Sequence, residues 1–376
     1  MKTKGALIWE FNQPWSIEEI EIGDPVKDEV KIQMEAAGMC HSDHHLVTGG
    51  IPMAGFPVLG GHEGAGIVTE VGPGVEGLEP GDHVVLSFIP SCGTCPSCQS
   101  GLRNLCDLGA LLLSGTSVSD GTNRVHAANG QPVYPMTLLG TFSPYMVVHK
   151  SSVVKIDKSI PFEVACLVGC GVTTGYGSAV RTADIRPGDD VAVIGVGGVG
   201  MSALQGAVAA GGRNIFVIEP VEWKRDAALK FGATHAYPDI ESAFGGVAEV
   251  TQGLMAKKVI VTVGELDGKD VDNYVNLTSK GGTTVITAIG SMLDTNVTLN
   301  LAMLTLMQKN LQGTIFGGGN PHYDIPQLLS MYKAGKLNLD DMITRQYKLE
   351  QINDGYTDML EGRNIRGVIR YTDADR

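Results

Sequence analysis

A glycine-rich turn between a buried strand and a helix constrains the fold of this chain more than any other feature. Residues 191–194 form a continuous apolar run, as expected of a parallel strand that is buried on both faces. The turn Gly-Val-Gly-Gly-Val-Gly follows at residues 195–200, and a helical pattern follows the turn. A second strand pattern, residues 214–218, ends at Glu219. Strand, turn, helix, strand and acidic residue in this order predict a dinucleotide-binding fold.

Each residue of this pattern has a physical role. Gly195 allows the tight turn, Gly197 lets the backbone approach a pyrophosphate, and Gly200 permits close packing of helix and strand. The helix N-terminus offers free N–H groups to phosphates. A carboxylate at Glu219 accepts hydrogen bonds from ribose hydroxyls and repels a 2′-phosphate, which favours NAD over NADP. Lys224 is either a further ribose contact or a solvated surface lysine.

Four cysteines, Cys92, Cys95, Cys98 and Cys106, have the spacing C-x2-C-x2-C-x7-C. Four thiolates without an open position are typical of a structural zinc site. An iron–sulfur cluster is the main alternative, but the ferredoxin pattern places three residues before the fourth cysteine and a proline after it. Here seven residues intervene and Asp107 follows. A disulfide pair is the remaining alternative, and structural zinc is the prediction.

Residues 40–45, Cys-His-Ser-Asp-His-His, and the later pair His62-Glu63 concentrate metal-binding and proton-transferring groups. Thiolate and imidazole are zinc ligands, and a nearby carboxylate acts as a ligand or orients one. Two ligands do not close a site, so a third must come from elsewhere. Cys170, flanked by glycines, is the best candidate, whereas Cys166 in the preceding apolar run is expected to be a buried core thiol.

Composition narrows the classes of protein to which the chain can belong. Its 376 residues suggest two domains, and its net charge of −13 disfavours partners such as nucleic acid or an anionic membrane. No apolar run is long enough to span a membrane, and the N-terminus lacks the apolar core of a signal peptide. Seven cysteines without an export signal favour metal ligands over disulfides and a cytoplasmic location.

The remaining patterns predict a β-rich first domain and a parallel sheet in the second. Short strands separated by turns fill residues 1–90, and further buried strands are predicted at 258–263, 282–287 and 311–318. A final strand at 367–371 is predicted to return to the first domain. Residues 107–145 are predicted as a long loop whose apolar residues either line a pocket or pack under the cysteine-rich segment.

Together these features resemble one family over nearly the whole chain, the zinc-dependent medium-chain alcohol dehydrogenases. Gly61-His62-Glu63-Gly64-Ala65-Gly66, with Gly72 and Val75, is similar to that family's zinc signature. The four cysteines, the segment 171–177 and the glycine turn follow in the family's order. The resemblance implies an α/β fold. The implied fold has a GroES-like, β-rich catalytic domain at residues 1–171 and 316–376, and a doubly wound parallel-sheet Rossmann domain at 172–315.

The resemblance also implies roles for individual residues. Cys40, His62 and Cys170 would bind the catalytic zinc, Glu63 would be an acid able to approach it, and Asp43 would orient His62. Ser42 would take the alcohol proton and pass it through the cofactor ribose to His45. The four clustered cysteines would bind one structural zinc. The implied NAD contacts are His41 (an arginine in many relatives), Thr174, Gly195, Gly197, Gly198, Val199, Gly200, Glu219, Lys224, Ile289, Phe316 and Arg366.

The implied activity is oxidation of an alcohol to an aldehyde or ketone by hydride transfer to NAD, in a homodimer with residues 297–306 as a candidate interface. The chain also resembles the actinobacterial nicotinoprotein branch, which keeps NAD(H) bound and reduces an external acceptor such as N,N-dimethyl-4-nitrosoaniline (NDMA). One alternative is an S-(hydroxymethyl)thiol formaldehyde dehydrogenase using glutathione or mycothiol. Residues 49–56 lack the acid, and residues 107–120 lack the arginine, that would hold glutathione. A non-enzymatic NAD- and zinc-binding protein is the alternative of another class.

Overall fold

The computed structural model describes all residues, Met1–Arg376, and divides into two compact units. Unit 1 comprises Met1–Cys170, Asn320–Gly335 and Leu339–Arg376, and unit 2 comprises Gly171–Gly319 and Lys336–Asn338. The predicted boundaries lie within a few residues of this division, apart from the short segment Lys336–Asn338. The predicted α/β class is confirmed, with a β-rich unit and a parallel-sheet unit.

Unit 1 begins with ten strands and three short helices. The strands are β1 Lys2–Ile8, β2 Ser16–Ile22, β3 Glu29–Gly38, β4 Val58–Leu59, β5 Glu63–Val71, β6 His83–Leu86, β7 Val125–Ala127, β8 Pro132–Pro135, β9 Tyr145–His149 and β10 Val153–Lys155. The helices are α1 His41–Val47, α2 Pro96–Gln99 and α3 Phe162–Ala165.

Unit 2 alternates strands and helices. Its helices are α4 Gly171–Gly177, α5 Gly198–Ala209, α6 Glu222–Lys230, α7 Ile240–Val250, α8 Val271–Asn276 and α9 Leu301–Leu306. Its strands are β11 Asp190–Ile194, β12 Asn214–Ile218, β13 His235–Tyr237, β14 Ala256–Val261, β15 Thr278–Ile286 and β16 Asn310–Gly313. The chain then returns to unit 1 as α10 Pro321–Lys333, β17 Ile343–Tyr347, α11 Ile352–Leu360 and β18 Arg366–Arg370.

The sheets of unit 1 explain how distant segments reach one site. Strands β1, β2, β7, β8 and β4 form a closed barrel, and a second sheet has the order β10-β6-β5-β3-β18-β17, with β9 also paired to β3. The predicted return of the C-terminal strand is confirmed, because Val368 in β18 pairs antiparallel with Gly38 in β3. The segment 107–145 is less irregular than predicted, since β7 and β8 help to close the barrel.

Unit 2 is a single parallel sheet of order β13-β12-β11-β14-β15-β16. Its central strand β11 is wholly buried, as its apolar run predicts. The predicted strand at 311–318 is wrong in its second half, where Phe316–Gly318 form a 3₁₀ turn. Phe316 and Gly317 have φ values of 55° and 60°. A Cβ on Gly317 would lie 2.5 Å from the carbonyl oxygen of Thr174, so only glycine allows this turn to pack on α4.

None of the helices is both long enough and apolar enough to cross a membrane.

Candidate metal and dinucleotide sites

Four side chains of unit 1 converge to form a compact set of donors. The ligand atoms of Cys40, His62, Glu63 and Cys170 all lie within 4.8 Å of one another. Cys40 is the N-cap residue of α1, and Cys170 follows a 3₁₀ turn that ends at Gly169. The structure therefore brings the predicted third ligand, Cys170, together with Cys40 and His62.

Local backbone geometry places His62 and Glu63 at the start of β5. Gly61 has a φ of +91°, a left-handed conformation that glycine adopts without a steric penalty. A Cβ on this residue would lie 2.4 Å from Oγ1 of Thr141. The backbone pairs with the neighbouring segment through the N–H of Thr141, which donates to the Gly61 carbonyl at 2.9 Å. A side chain at position 61 would therefore clash with Thr141 and Phe142.

The carboxylate of Asp43 contacts the imidazole of His62, the residue that the resemblance implies it orients. The Asp43 side chain is fully buried, and its Oδ1 lies 3.0 Å from Nδ1 of His62. The same oxygen accepts the Gly61 N–H at 3.2 Å, and Oδ2 accepts the Cys40 N–H at 3.2 Å. Because a carboxylate only accepts, Nδ1 of His62 carries the proton and Nε2 is left for the donor set.

The pKa values of the two thiols in the donor set are shifted in opposite directions. A hydrogen bond from Cys170 is the main reason that the pKa of the Cys40 thiol lies well below its usual range, although burial opposes this effect. The same contact, together with burial, raises the pKa of Cys170 well above its usual range. Burial lowers the pKa of His62, but the charges of Asp43 and Cys40 outweigh it and raise that pKa overall.

Glu63 is paired with Arg366 inside the protein. Nη2 of Arg366 donates to Oε2 of Glu63, and the two side chains are only 3% and 0% exposed. Burial raises the pKa of Glu63 to about 7, against the opposing charge of Arg366. The other carboxylate oxygen, Oε1, is buried and makes no hydrogen bond. The pyrophosphate contact implied for Arg366 stays a prediction, since its guanidinium is engaged with Glu63.

The donor set fits a zinc ion. Two sulfurs and an imidazole nitrogen are ligands that zinc favours, and the unpaired Oε1 of Glu63 adds a carboxylate oxygen. Two buried thiolates near one carboxylate are unfavourable without a cation, so a zinc ion would stabilise this set.

The predicted proton-transfer residues lie on the helix that starts at Cys40. Oγ of Ser42 is 3.8 Å from Sγ of Cys40, and His45 is 6% exposed. Ser42 and His45 are three residues apart on α1, so they occupy neighbouring positions on its surface. His41, also on α1, is half-buried.

The four-cysteine segment of unit 1 forms a second donor set. The sulfurs of Cys92, Cys95, Cys98 and Cys106 lie within 4.8 Å of one another. Backbone N–H groups point at these sulfurs, for example from Cys95 to Cys92 Sγ at 3.3 Å and from Cys98 to Cys95 Sγ at 3.4 Å. Burial on its own would raise the pKa of Cys92, but hydrogen bonds from Thr94 outweigh this effect and lower that pKa to about 6. Burial raises the pKa of Cys106 to about 12. Four sulfurs in this arrangement fit a closed structural zinc site.

The glycine turn of unit 2 has the geometry that its sequence predicts. Gly195 has a φ of +83°, and a Cβ on Gly200 would lie 1.9 Å from the Gly195 carbonyl oxygen. A Cβ on Gly197 would meet no atom within 4 Å, so the backbone there is open to a ligand. Gly198 and Val199 form the first turn of α5, whose N-terminus has no side-chain cap. These unpaired N–H groups fit a pyrophosphate.

Glu219 lies directly after β12 and holds the glycine turn through a hydrogen bond. Its Oε2 accepts the Val196 N–H at 3.0 Å, and its Oε1 accepts the Val221 N–H at 3.1 Å. Lys224 is only 8% exposed, so the solvated-surface alternative for this residue is wrong. Burial lowers the pKa of Lys224, and the charge of Glu219 opposes that shift.

The other predicted cofactor residues of unit 2 differ in their exposure. Thr174 is 9% exposed, and its Oγ1 is buried without a hydrogen bond. Phe316 is 1% exposed, whereas Ile289 is 43% exposed. Roles for these three residues beside a nicotinamide stay predictions.

Sequence reasoning missed aromatic residues around the donor set. The ring of Phe88 contacts the His62 ring edge-on, with centroids 5.7 Å apart. Tyr356 in α11 is buried, and the charge of Asp43 acts on its hydroxyl. Neither residue belongs to a metal-binding or glycine motif, so only the fold reveals them.

Comparisons with known proteins agree with this arrangement. Residues 26–158 match the family described as the alcohol dehydrogenase GroES-like domain, and residues 198–334 match the zinc-binding dehydrogenase family. The first match contains Cys40, His62, Glu63 and the four clustered cysteines, and the second begins within the glycine turn, whereas Cys170 lies between the two matches.

Similar proteins extend over the whole chain. Alcohol dehydrogenase B of Mycobacterium tuberculosis is 82% identical over 376 residues, covering 100% of both chains. The NDMA-dependent alcohol dehydrogenase of Amycolatopsis methanolica is 46% identical, covering 99% of this chain and 100% of that one. The crystal structure of benzyl alcohol dehydrogenase from Acinetobacter calcoaceticus has a TM-score of 0.91 at 26% identity, covering 99% and 100%. This chain belongs to the zinc-dependent medium-chain alcohol dehydrogenase family, whose members are oxidoreductases that act on CH–OH groups.

Proposed function

We propose that this protein oxidises a small alcohol to an aldehyde or ketone with NAD, using one catalytic and one structural zinc per chain. The observation that carries the proposal is the convergence of Cys40, His62, Glu63 and Cys170 beside the orienting carboxylate of Asp43. A zinc ion held there would act as a Lewis acid that lowers the pKa of the alcohol hydroxyl, and NAD would accept the hydride.

The protein's own residues hold the reacting groups and move the proton. Asp43 keeps Nε2 of His62 available to the donor set, and the Glu63–Arg366 pair keeps a buried carboxylate at its edge. Ser42, beside Cys40, takes the alcohol proton in this proposal. His45, on the next turn of α1, is the final proton acceptor.

Replacing His45 by alanine tests the proton path. Turnover is expected to fall by about 10²-fold, the lower end of the usual acid–base contribution, because water substitutes in part. The pH dependence of the rate should also change, since the variant lacks the last proton acceptor of the path. His44→Ala, on the same helix, is the matched control. A His45→Ala enzyme with an unaltered pH–rate profile would contradict the relay.

The preference for NAD over NADP rests on the negative charge of Glu219. In the Glu219→Ala variant the ratio of NADP to NAD affinity is expected to rise by roughly tenfold or more, because repulsion of the 2′-phosphate is removed. Loss of the hydrogen bonds to Val196 and Val221 should weaken both nucleotides. Glu222→Ala, an exposed neighbour at the start of α6, is the control. Titration of cofactor-free protein with each nucleotide measures the ratio, and an unchanged ratio would refute this role.

We further propose that NAD(H) stays bound and that an external acceptor reoxidises it. The similarity to a relative described as NDMA-dependent supports this branch. The test is an assay of simple aliphatic and aromatic alcohols with NDMA and without added NAD. The proposal expects bleaching of the dye, and expects chelator treatment to abolish it. If turnover requires added NAD, the proposal of a permanently bound cofactor is refuted, whereas the proposal of a zinc-dependent alcohol dehydrogenase is unaffected.

The edge of the unit 2 sheet supports a homodimer. Strand β16 pairs only with β15, and all four of its residues are exposed. Val297, Leu301 and Leu306 beside it are 60%, 66% and 77% exposed. An unpaired strand edge with an apolar border is commonly covered by another chain, and we assign it to a second copy. Light scattering tests this, and a monomer at micromolar concentration would refute it.

A cytoplasmic location is also part of the proposal. All seven cysteines are free thiols, which suits a reducing compartment. Cell fractionation tests this assignment, which recovery in the secreted fraction would contradict.

A further inference from the structure

Tyr356 lies in α11, and its ring is held firmly in the core of unit 1. The side chain is 6% exposed and packs against Trp15 and Phe142, with ring centroids 6.0 and 6.3 Å away. Asn353, one turn earlier, fixes the helix to the same region. Its Oδ1 accepts the Trp15 N–H at 3.0 Å, and its Nδ2 donates to the Trp15 carbonyl at 2.9 Å. The phenol ring therefore has little freedom to turn away.

The helix that carries Tyr356 also packs against the residue before the first zinc ligand. A Cβ on Gly355 would lie 2.5 Å from Cε of Met39, so the helix backbone rests directly on that side chain. Met39 is followed by Cys40, the N-cap of α1. In the same region the hydroxyl of Tyr356 interacts with Asp43, in the first turn of α1.

The hydroxyl of Tyr356 lacks an assigned partner. It is buried and makes no hydrogen bond of ordinary geometry. Burial raises its pKa well above the usual range, and the negative charge of Asp43 and a looser hydrogen-bond contact with that carboxylate raise it further. Buried tyrosine hydroxyls normally find an acceptor, because an unsatisfied one costs about 1–3 kcal/mol. Asp43 is the carboxylate that faces this hydroxyl.

Asp43 has room for one more donor. Its Oδ1 already accepts hydrogen bonds from His62 and the Gly61 N–H, at 3.0 and 3.2 Å. Its Oδ2 accepts only the Cys40 N–H, at 3.2 Å. An ionised carboxylate accepts about four hydrogen bonds. One acceptor position on Oδ2 is therefore open beside a hydroxyl that needs it.

We propose that the hydroxyl of Tyr356 donates to Oδ2 of Asp43 and is a positioning residue for the catalytic zinc site. The phenol holds the carboxylate through Oδ2 while His62 contacts Oδ1, so that the imidazole keeps the orientation in which Nε2 faces the donor set. The inference rests on the proposed function, because it concerns retention of the zinc that the function requires.

The test compares metal release from Tyr356→Phe and from the unaltered enzyme. The substitution removes one oxygen and keeps the ring packed between Trp15 and Phe142. Zinc-loaded holoenzyme is mixed with excess chelator, and zinc per chain is followed with time. The release phase that the unaltered enzyme shows and Cys40→Ala lacks is assigned to the catalytic zinc. This phase is expected to become about tenfold faster in Tyr356→Phe, the lower end of the effect of losing a group that supports a ligand.

Two further variants separate positioning from a general effect on folding. In Tyr347→Phe the lost hydroxyl donates to Asp358 Oδ2 at 2.7 Å, and the catalytic phase should stay within about twofold. In the Asp43→Asn background, adding Tyr356→Phe should accelerate release no further, because the two residues act through one contact.

Two results would refute the role of Tyr356 without refuting the proposed catalytic zinc site. One is release from Tyr356→Phe at the unaltered rate, and the other is equal acceleration with and without Asp43. If the unaltered enzyme has no release phase that Cys40→Ala removes, the proposed catalytic zinc itself is refuted, and the inference with it.

Discussion

Replacement of Cys40 by alanine is expected to lower turnover by more than about 10³-fold while the protein stays folded. The substitution removes one sulfur from the donor set and leaves His62, Glu63 and Cys170 in place. It does not disturb the Asp43 carboxylate through the backbone, because the N–H of residue 40 remains. An ion held by the remaining donors would be weakly bound, so the alcohol would lose its electrostatic activation.

The measurement pairs steady-state turnover with zinc content and a circular dichroism spectrum. Cys166→Ala is the matched control, since Cys166 is a buried thiol of the same unit, four residues before Cys170. Its Sγ donates to the Glu163 carbonyl at 3.3 Å and takes no part in the donor set. It should keep its zinc and most of its activity. Full activity in Cys40→Ala, or equal losses in the two variants, would contradict the assignment.

Loss of Cys106 is expected to act on stability rather than on chemistry. Cys106→Ala opens the four-cysteine site, and the free energy of unfolding should fall by roughly 4 kcal/mol or more. The reason is that this segment has little regular structure of its own, only the four-residue helix α2 and a 3₁₀ turn at Arg103–Leu105. Bound metal is therefore expected to supply most of its folding energy.

Chemical unfolding followed by tryptophan fluorescence measures this effect. Ser100→Ala is the control within the same segment, because its hydroxyl bonds only to the Ser97 carbonyl at 2.9 Å and lies at the surface. The folded fraction of Cys106→Ala should retain its rate per catalytic zinc. Undiminished stability, or lost catalysis with stability intact, would contradict the division between the two sites.

Much of the fold, and the members of both donor sets, can be predicted from short-range sequence patterns. The buried run before Gly195 and the spacing of the four cysteines are local signals, and their geometry in the structure follows. The convergence of Cys170 on Cys40 depends on contacts between distant parts of the chain. From the sequence, Cys170 can be predicted as the third ligand only because it is the best candidate thiol and because of the family resemblance.

Other features could not be predicted because they arise from packing. Helix α1 was not foreseen, since a run dominated by polar residues and histidines has no helical periodicity. The Glu63–Arg366 pair joins residues 303 positions apart. The turn at Phe316 replaces a predicted strand because its backbone must fit against α4. Tyr356 lies in an ordinary amphipathic helix, and only its place beside Asp43 gives it a role.

The most direct test of the central claim is the mass of the purified protein measured under native conditions, alone and as two variants. Two zinc ions per chain are predicted for the unaltered protein, and one for each of Cys40→Ala and Cys106→Ala. A bound dinucleotide should add its mass if NAD(H) is retained. A single zinc per chain in the unaltered protein, or two zinc ions persisting in Cys40→Ala, would contradict the account.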